Sequence, residues 1–150
     1  MAEIFFNFNN LEDSLDLVCE VYEADKKENT WAKKFVSSIL HENPQHIPSY
    51  YFLAHVFLTE EVHKKAIEVY GKLIEIAPAE ITKVMDKLVM HKKKSGEVIL
   101  YLGDLHKNSG DISKALEFFD ELFTLDASFG DAIIYQIKDI LKRNANIGDA

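Results

Sequence analysis

The amino-acid sequence predicts an all-α fold, a solenoid of about eight antiparallel helices. Apolar residues recur with helical spacing along most of the chain, and polar or proline-containing turns separate the apolar stretches. A set of residues also returns after 34 positions, since Ala32, Val36, Ile39 and Pro44 are followed by Ala66, Tyr70, Leu73 and Pro78. A chain of 150 residues is long enough to bury a sizeable core.

The clearest helix pair lies in residues 97–126. Its first half has one apolar face and is broken by Asn108, Ser109 and Gly110, after which Asp111 can cap a new helix. In the second half, apolar residues at the spacing of one buried helix face are Ile112, Ala115, Leu116, Phe118, Phe119, Leu122 and Leu125. The pattern therefore predicts a helix, a tight turn and a second helix.

The other helices follow from caps and breakers. Asn10 is expected to cap a helix that starts at Leu11, and a second helix runs from Trp31 to about His41. Pro48 suits the first turn of a third helix, because a missing N–H costs nothing there. We expect Thr59 to cap a fourth helix, with Glu60 and Glu61 in its first turn.

Two segments carry the residue pattern of a known repeat. The first has Tyr50, Leu53, Ala54, Phe57, Ala66, Tyr70, Leu73 and Pro78, and the second has Ile99, Leu102, Gly103, His106, Ala115, Phe119, Leu122 and Ala127. These residues resemble the tetratricopeptide repeat, a helix-turn-helix unit of about 34 residues. The resemblance implies a right-handed solenoid and a non-catalytic protein that binds other proteins.

The repeats are not evenly spaced. Ala66 and Ala115 are 49 residues apart, which is one repeat of 34 residues plus 15. The additional length forms an extra amphipathic helix in residues 79–94, which interrupts the repeat spacing. After a Phe-rich segment at 1–10, the helical domain at 11–144 is predicted to comprise a divergent repeat at 11–44, a repeat at 47–78, the extra helix, a repeat at 96–127 and a C-terminal helix at 129–143.

Composition narrows the class of partner. The net charge is −8, which argues against nucleic acid and anionic membranes because both require a positive surface. No apolar run approaches the length of a membrane span, and the N-terminus lacks the features of a signal peptide, so we expect a cytoplasmic protein without membrane insertion. Cys19 is the single cysteine. We find no catalytic, metal-binding or cofactor-binding motif, and therefore expect no enzyme activity, metal or cofactor.

The resemblance also implies a concave groove, lined by the first helix of each repeat. The residues expected there are Tyr51, Phe52, His55, Leu58, Leu100, Tyr101, Asp104 and Lys107. Some relatives use paired Lys and Asn residues on this face to hold a C-terminal carboxylate of a chaperone. Here the corresponding positions are Tyr51, His55, Leu100 and Asp104, so that clamp is not expected. A partly aromatic groove suits a helical or extended apolar segment of another protein.

Two apolar surfaces leave further interpretations open. Phe5, Phe6 and Phe8 either cap the first helices or dock on a partner, and the C-terminal helix with Ile134, Ile137 and Leu141 either packs on the preceding pair or forms a homodimer seam. The sequence accordingly predicts an interaction adaptor, with two alternatives. These are a secretion-type chaperone that holds an aggregation-prone client and a self-assembling structural protein.

Overall fold

The computed structural model describes residues 16–20, 22 and 29–148. Residues 16–20 and 22 are helical, and seven longer helices follow. We label these α1 (Asn29–Glu42), α2 (Ile47–Thr59), α3 (His63–Ile76), α4 (Ile81–Val89), α5 (Gly96–Asn108), α6 (Ile112–Leu125) and α7 (Gly130–Gly148). The described residues contain no strand, so the predicted all-α class with an extra helix near 79–94 is confirmed. The predictions for Asn10, Leu11, Phe5, Phe6 and Phe8 lie outside the described residues.

The chain divides into two compact units, Met1–Pro78 and Ala79–Ala150. In the first unit, α2 packs against both α1 and α3. Small residues lie where the helices approach each other, and larger apolar side chains fill the space around them. The fully buried residues of these three helices are Ala32, Val36, Ile39, Ala54, Val56, Ala66, Tyr70 and Leu73. An ion pair of 3.0 Å between Lys33 Nζ and Glu60 Oε2 also joins α1 to the end of α2.

In the second unit, α5 packs against α6, with α4 and α7 in contact with this central pair. The closest approach is at Gly103, because a Cβ atom added there would lie only 2.3 Å from Cε1 of Phe119. The Phe119 ring is 1% exposed and fills the space that the missing side chain leaves. Glycine at this position therefore allows α5 and α6 to pack with a large aromatic residue between them.

The first helix of each repeat ends in the same hydrogen-bonded turn. After α5, the amides of Asp111 and Gly110 donate to the carbonyls of His106 (2.9 Å) and Lys107 (3.1 Å), and Gly110 has a φ of 88°. After α2, the amides of Val62 and Glu61 donate to Phe57 (2.9 Å) and Leu58 (3.1 Å), and Glu61 has a φ of 62°. Both are Schellman motifs, in which the residue after the helix takes a left-handed conformation.

This turn corrects the predicted start of the fourth helix. Thr59 was expected to cap that helix, with Glu60 and Glu61 in its first turn. Instead Thr59 is the last residue of α2, its hydroxyl donates to the carbonyl of His55 (2.9 Å), and α3 begins at His63. The prediction was wrong because Glu61 occupies the left-handed position where the equivalent turn has a glycine, so the sequence showed no helix stop.

Candidate functional site

The candidate binding surface of the first unit lies on α2, which begins close to a pair of stabilising contacts. The hydroxyl of Tyr50 donates to the carbonyl of Pro44 (2.7 Å), and Nδ1 of His46 lies 2.6 Å from Oγ of Ser49. Pro48 lies at the start of the helix, as predicted. These contacts fix the first turn of α2, and with it the directions in which the following side chains point.

The four residues predicted on α2 differ in accessibility. Tyr51 is partly exposed, with its ring centroid 6.1 Å from that of Tyr70, and His55 is exposed. Phe52 and Leu58 are buried. The ring of Tyr22 lies against both Phe52 (5.7 Å) and His55 (6.3 Å), which explains why this side of α2 is partly covered. Only Tyr51 and His55 of the four therefore present substantial surface in this structure.

On α5 the four predicted residues divide in a similar way. Leu100, Tyr101 and Asp104 are partly exposed, whereas Lys107 is 5% exposed. The ammonium group of Lys107 lies 2.6 Å from Oε1 of Gln136, 2.8 Å from Oδ2 of Asp139 and 3.2 Å from Oδ1 of Asp104. A buried lysine needs such partners, since an unpaired charge away from water is costly.

This polar network joins α5 to α7, and sequence reasoning did not find it. Asp139 also pairs with Nε of Arg143 at 3.0 Å. The hydrogen bond from Lys107 is the main cause that holds the pKa of Asp139 below its usual value, and the positive charges of Lys107, Arg143 and Lys142 act in the same direction. The i, i+3 and i, i+4 spacings were visible in the sequence, but nothing in it showed that the two pairs meet.

A second cluster surrounds the buried ring of Phe118. His106 stacks on this ring at 5.4 Å, and the ammonium groups of Lys92 and Lys114 lie 5.9 and 5.5 Å from its centroid. Lys92 also pairs with Glu121 at 3.2 Å. One lysine of the basic run at residues 91–94 is thus engaged within its own unit. His106 has a packing contact at the position where the repeat usually has an aromatic residue.

The described residues show no sign of a metal centre or of a membrane span. Within residues 16–20, 22 and 29–148, no three His, Cys, Asp or Glu side chains are grouped so that they could hold a metal ion. Over the same part of the chain, every helix is too short or too polar to cross a bilayer.

The structure thus defines an all-α helical-repeat protein whose accessible polar and aromatic residues lie on the first helices of two helix pairs. Comparison with known families gives the repeat type: the Tetratricopeptide repeat matches residues 47–80 and 98–129. The chain is a tetratricopeptide repeat protein, as its residue pattern predicted. Repeats of this family are protein–protein interaction modules, and they are typically not catalytic.

Two further comparisons were made. A search of curated proteins finds no match. Thirteen chains among solved structures match, and one of them is the crystal structure of MamA. The alignment with MamA covers 98% of this chain and 100% of that chain, with 12% sequence identity and a TM-score of 0.36.

Proposed function

We propose that the protein is an interaction adaptor that binds an apolar or amphipathic segment of another protein on the first helices of its repeats. The observation that supports this most directly is the partial exposure of large residues on these helices. Tyr51 on α2, and Leu100 and Tyr101 on α5, are each partly accessible. Aromatic and aliphatic side chains that are already held in place bind apolar segments with little further loss of conformational entropy.

The predicted residues have two different roles in this proposal. Tyr51, His55, Leu100, Tyr101 and Asp104 contact the partner, because their side chains reach the surface. The buried residues cannot touch a partner unless the fold opens, so they support the helices from below; these are Phe52, Leu58 and Lys107. Each first helix is treated as a binding face of its own unit.

The chemistry of these faces selects the kind of segment that binds. Tyr51, Leu100 and Tyr101 offer apolar and aromatic surface, and Asp104 adds a carboxylate that already interacts with Lys107 at 3.2 Å. A peptide carboxylate would meet no lysine or asparagine at these positions, and Asp104 would repel it. The preferred partner therefore carries apolar side chains, with a basic or neutral residue opposite Asp104.

Binding of selected peptides tests the proposal. Peptides would be selected from a random library against the intact chain, labelled, and titrated by fluorescence anisotropy. We expect Tyr51→Ala or Leu100→Ala to raise Kd on the order of tenfold, as for an interface anchor. Leu116→Ala serves as the control, because Leu116 is an exposed leucine on the second helix of a pair. Equal Kd values for all three variants would contradict the proposal.

The two alternatives from the sequence have their own readouts. Suppression of aggregation of an insoluble client, without selection of a defined peptide, would favour the chaperone. A molar mass that rises with concentration, and returns to the monomer value in Phe5→Asp or Ile137→Asp, would favour self-assembly.

A further inference from the structure

The last helix, α7, leaves an apolar face uncovered. Ile134 is 51% exposed and Leu141 is 62% exposed, whereas Ile133 and Ile140 are buried. Lys138 lies between the two exposed apolar residues and is itself exposed. Terminal repeats of a solenoid normally present a polar outer face, because no further repeat covers them. The face formed by Ile134, Lys138 and Leu141, which we call the α7 face, departs from that rule.

The repeat register shows what this face corresponds to. Ile134, Lys138 and Leu141 lie 34 residues after Leu100, Asp104 and Lys107. On α5, the residues of that set receive the next helix along the chain, because Lys107 binds Gln136 and Asp139 of α7. Lys107 is 5% exposed as a result, but Leu141 at the same register position is 62% exposed. The α7 face therefore repeats the surface on which α5 receives a following helix.

The charge on this face bears on what covers it. A second copy of the chain would pair two α7 helices antiparallel about a twofold axis, and an isologous contact places the same residues near that axis. Lys138 lies close to the midpoint between Ile134 and Leu141, so the two Lys138 side chains would face each other. Lys142, one turn further, is also exposed and positive. Like charges at the centre of an apolar contact oppose self-pairing and favour a carboxylate.

We propose that the α7 face accepts a helix from another protein, which adds to the repeat array as α7 adds to α5. This partner helix is amphipathic, with apolar residues that cover Ile134 and Leu141 and a glutamate or aspartate opposite Lys138. The α7 face is a different surface from the α2 and α5 faces that carry the proposed adaptor function.

A peptide pair made from the protein itself supplies the probe. One peptide carries residues 130–145 of this chain, and the other carries the same residues with Lys138→Glu. Labelled peptides are titrated against the intact chain by fluorescence anisotropy. We expect the Lys138→Glu peptide to bind about fivefold more tightly than the natural one, the effect of one ion pair at a partly exposed contact. The chain variant Lys138→Glu should reverse this preference.

Variants of the chain locate the contact. Ile134→Asp and Leu141→Asp should each weaken binding of the Lys138→Glu peptide on the order of tenfold. Tyr135→Asp is the matched control, because Tyr135 is an exposed residue on the same helix outside the α7 face. Circular dichroism checks that each variant keeps its helix content, which is expected since the three side chains are largely exposed.

Three outcomes would overturn the proposal. The first is that neither peptide binds, and the second is that Tyr135→Asp lowers affinity as much as the other two variants. In the third, the intact chain dimerises and Ile134→Asp makes it monomeric, so that a second copy covers the face. None of these outcomes bears on the α2 and α5 faces, whose peptides are selected separately.

Discussion

Gly103→Ala tests the close contact between α5 and α6. Two effects of opposite sign compete. Alanine is favoured over glycine inside a helix by about 0.5–1 kcal/mol. Against this, the new Cβ would lie 2.3 Å from Cε1 of Phe119 and 2.8 Å from Cδ1 and Cζ of the same ring. Three ring atoms are involved rather than a flexible end of a side chain, so the ring as a whole has to move.

The ring has little room to move. Phe119 is 1% exposed, and Leu122 and Leu102 beside it on α6 and α5 are also buried. Overpacking of a well-packed core typically costs about 1–3 kcal/mol. After the propensity gain is subtracted, we expect Gly103→Ala to lower the free energy of unfolding by about 1–2 kcal/mol. With a urea m-value of about 1–2 kcal/mol/M, the midpoint falls by roughly 1 M.

Urea unfolding followed by circular dichroism measures this change, and hydrogen exchange of α5 and α6 locates it. Gly130→Ala is the matched control, because the nearest atom to its added Cβ is 3.8 Å away on Phe123. That variant should be neutral or slightly stabilising. In a Phe119→Leu background, which removes the ring, Gly103→Ala should lose most of its cost. The packing argument fails if Gly103→Ala is as stable as Gly130→Ala.

Three other substitutions test local features of the fold. Glu61→Gly should raise the free energy of unfolding by about 0.5–1 kcal/mol in urea unfolding, because Glu61 has a φ of 62°; Gly110→Ala at the equivalent turn should lower it, and equal signs would contradict the argument. Asp111→Ala should cost about 1 kcal/mol because Oδ1 of Asp111 accepts the amide of Lys114 at 3.1 Å; Asp111→Asn should keep most of this stability, and a loss as large as that of the alanine variant would exclude capping. Burial raises the pKa of Tyr70 from 10.0 to about 12, so the unfolded chain ionises first as the pH rises. Stability is therefore retained below about pH 10 and falls by up to ~1.4 kcal/mol per pH unit between pH 10 and 12; Tyr70→Phe should reduce this fall and Tyr135→Phe should not, as measured by urea unfolding at each pH.

Local sequence was sufficient for most of the fold. Helical periodicity, capping residues and the 34-residue recurrence depend on neighbours within one or two turns, which are readable from the chain itself. Asp111 caps α6, and Gly110 is the left-handed residue that ends the preceding helix, as their positions in the sequence indicated. Glu61 performs the role of Gly110 without its signature. The helix boundary there was consequently misplaced.

The accessibility of the candidate site depended on contacts that are distant in the sequence. Phe52 faces Tyr22, and Lys107 meets Asp139. Helical spacing showed only that these residues share a face with Tyr51 and Asp104. It could not show that another helix covers part of that face, because the cover comes from segments about 30 residues away.

The sequence by itself determined the class of protein, since amphipathic helices and the tetratricopeptide pattern are local properties. The tertiary structure decided which residues reach the surface. Lys107 and Leu141 stand at the same repeat position, but one is buried by the helix that follows it and the other has no such cover among the described residues. Burial depends on the neighbour that packing supplies, and a residue's position within its own helix does not specify that neighbour.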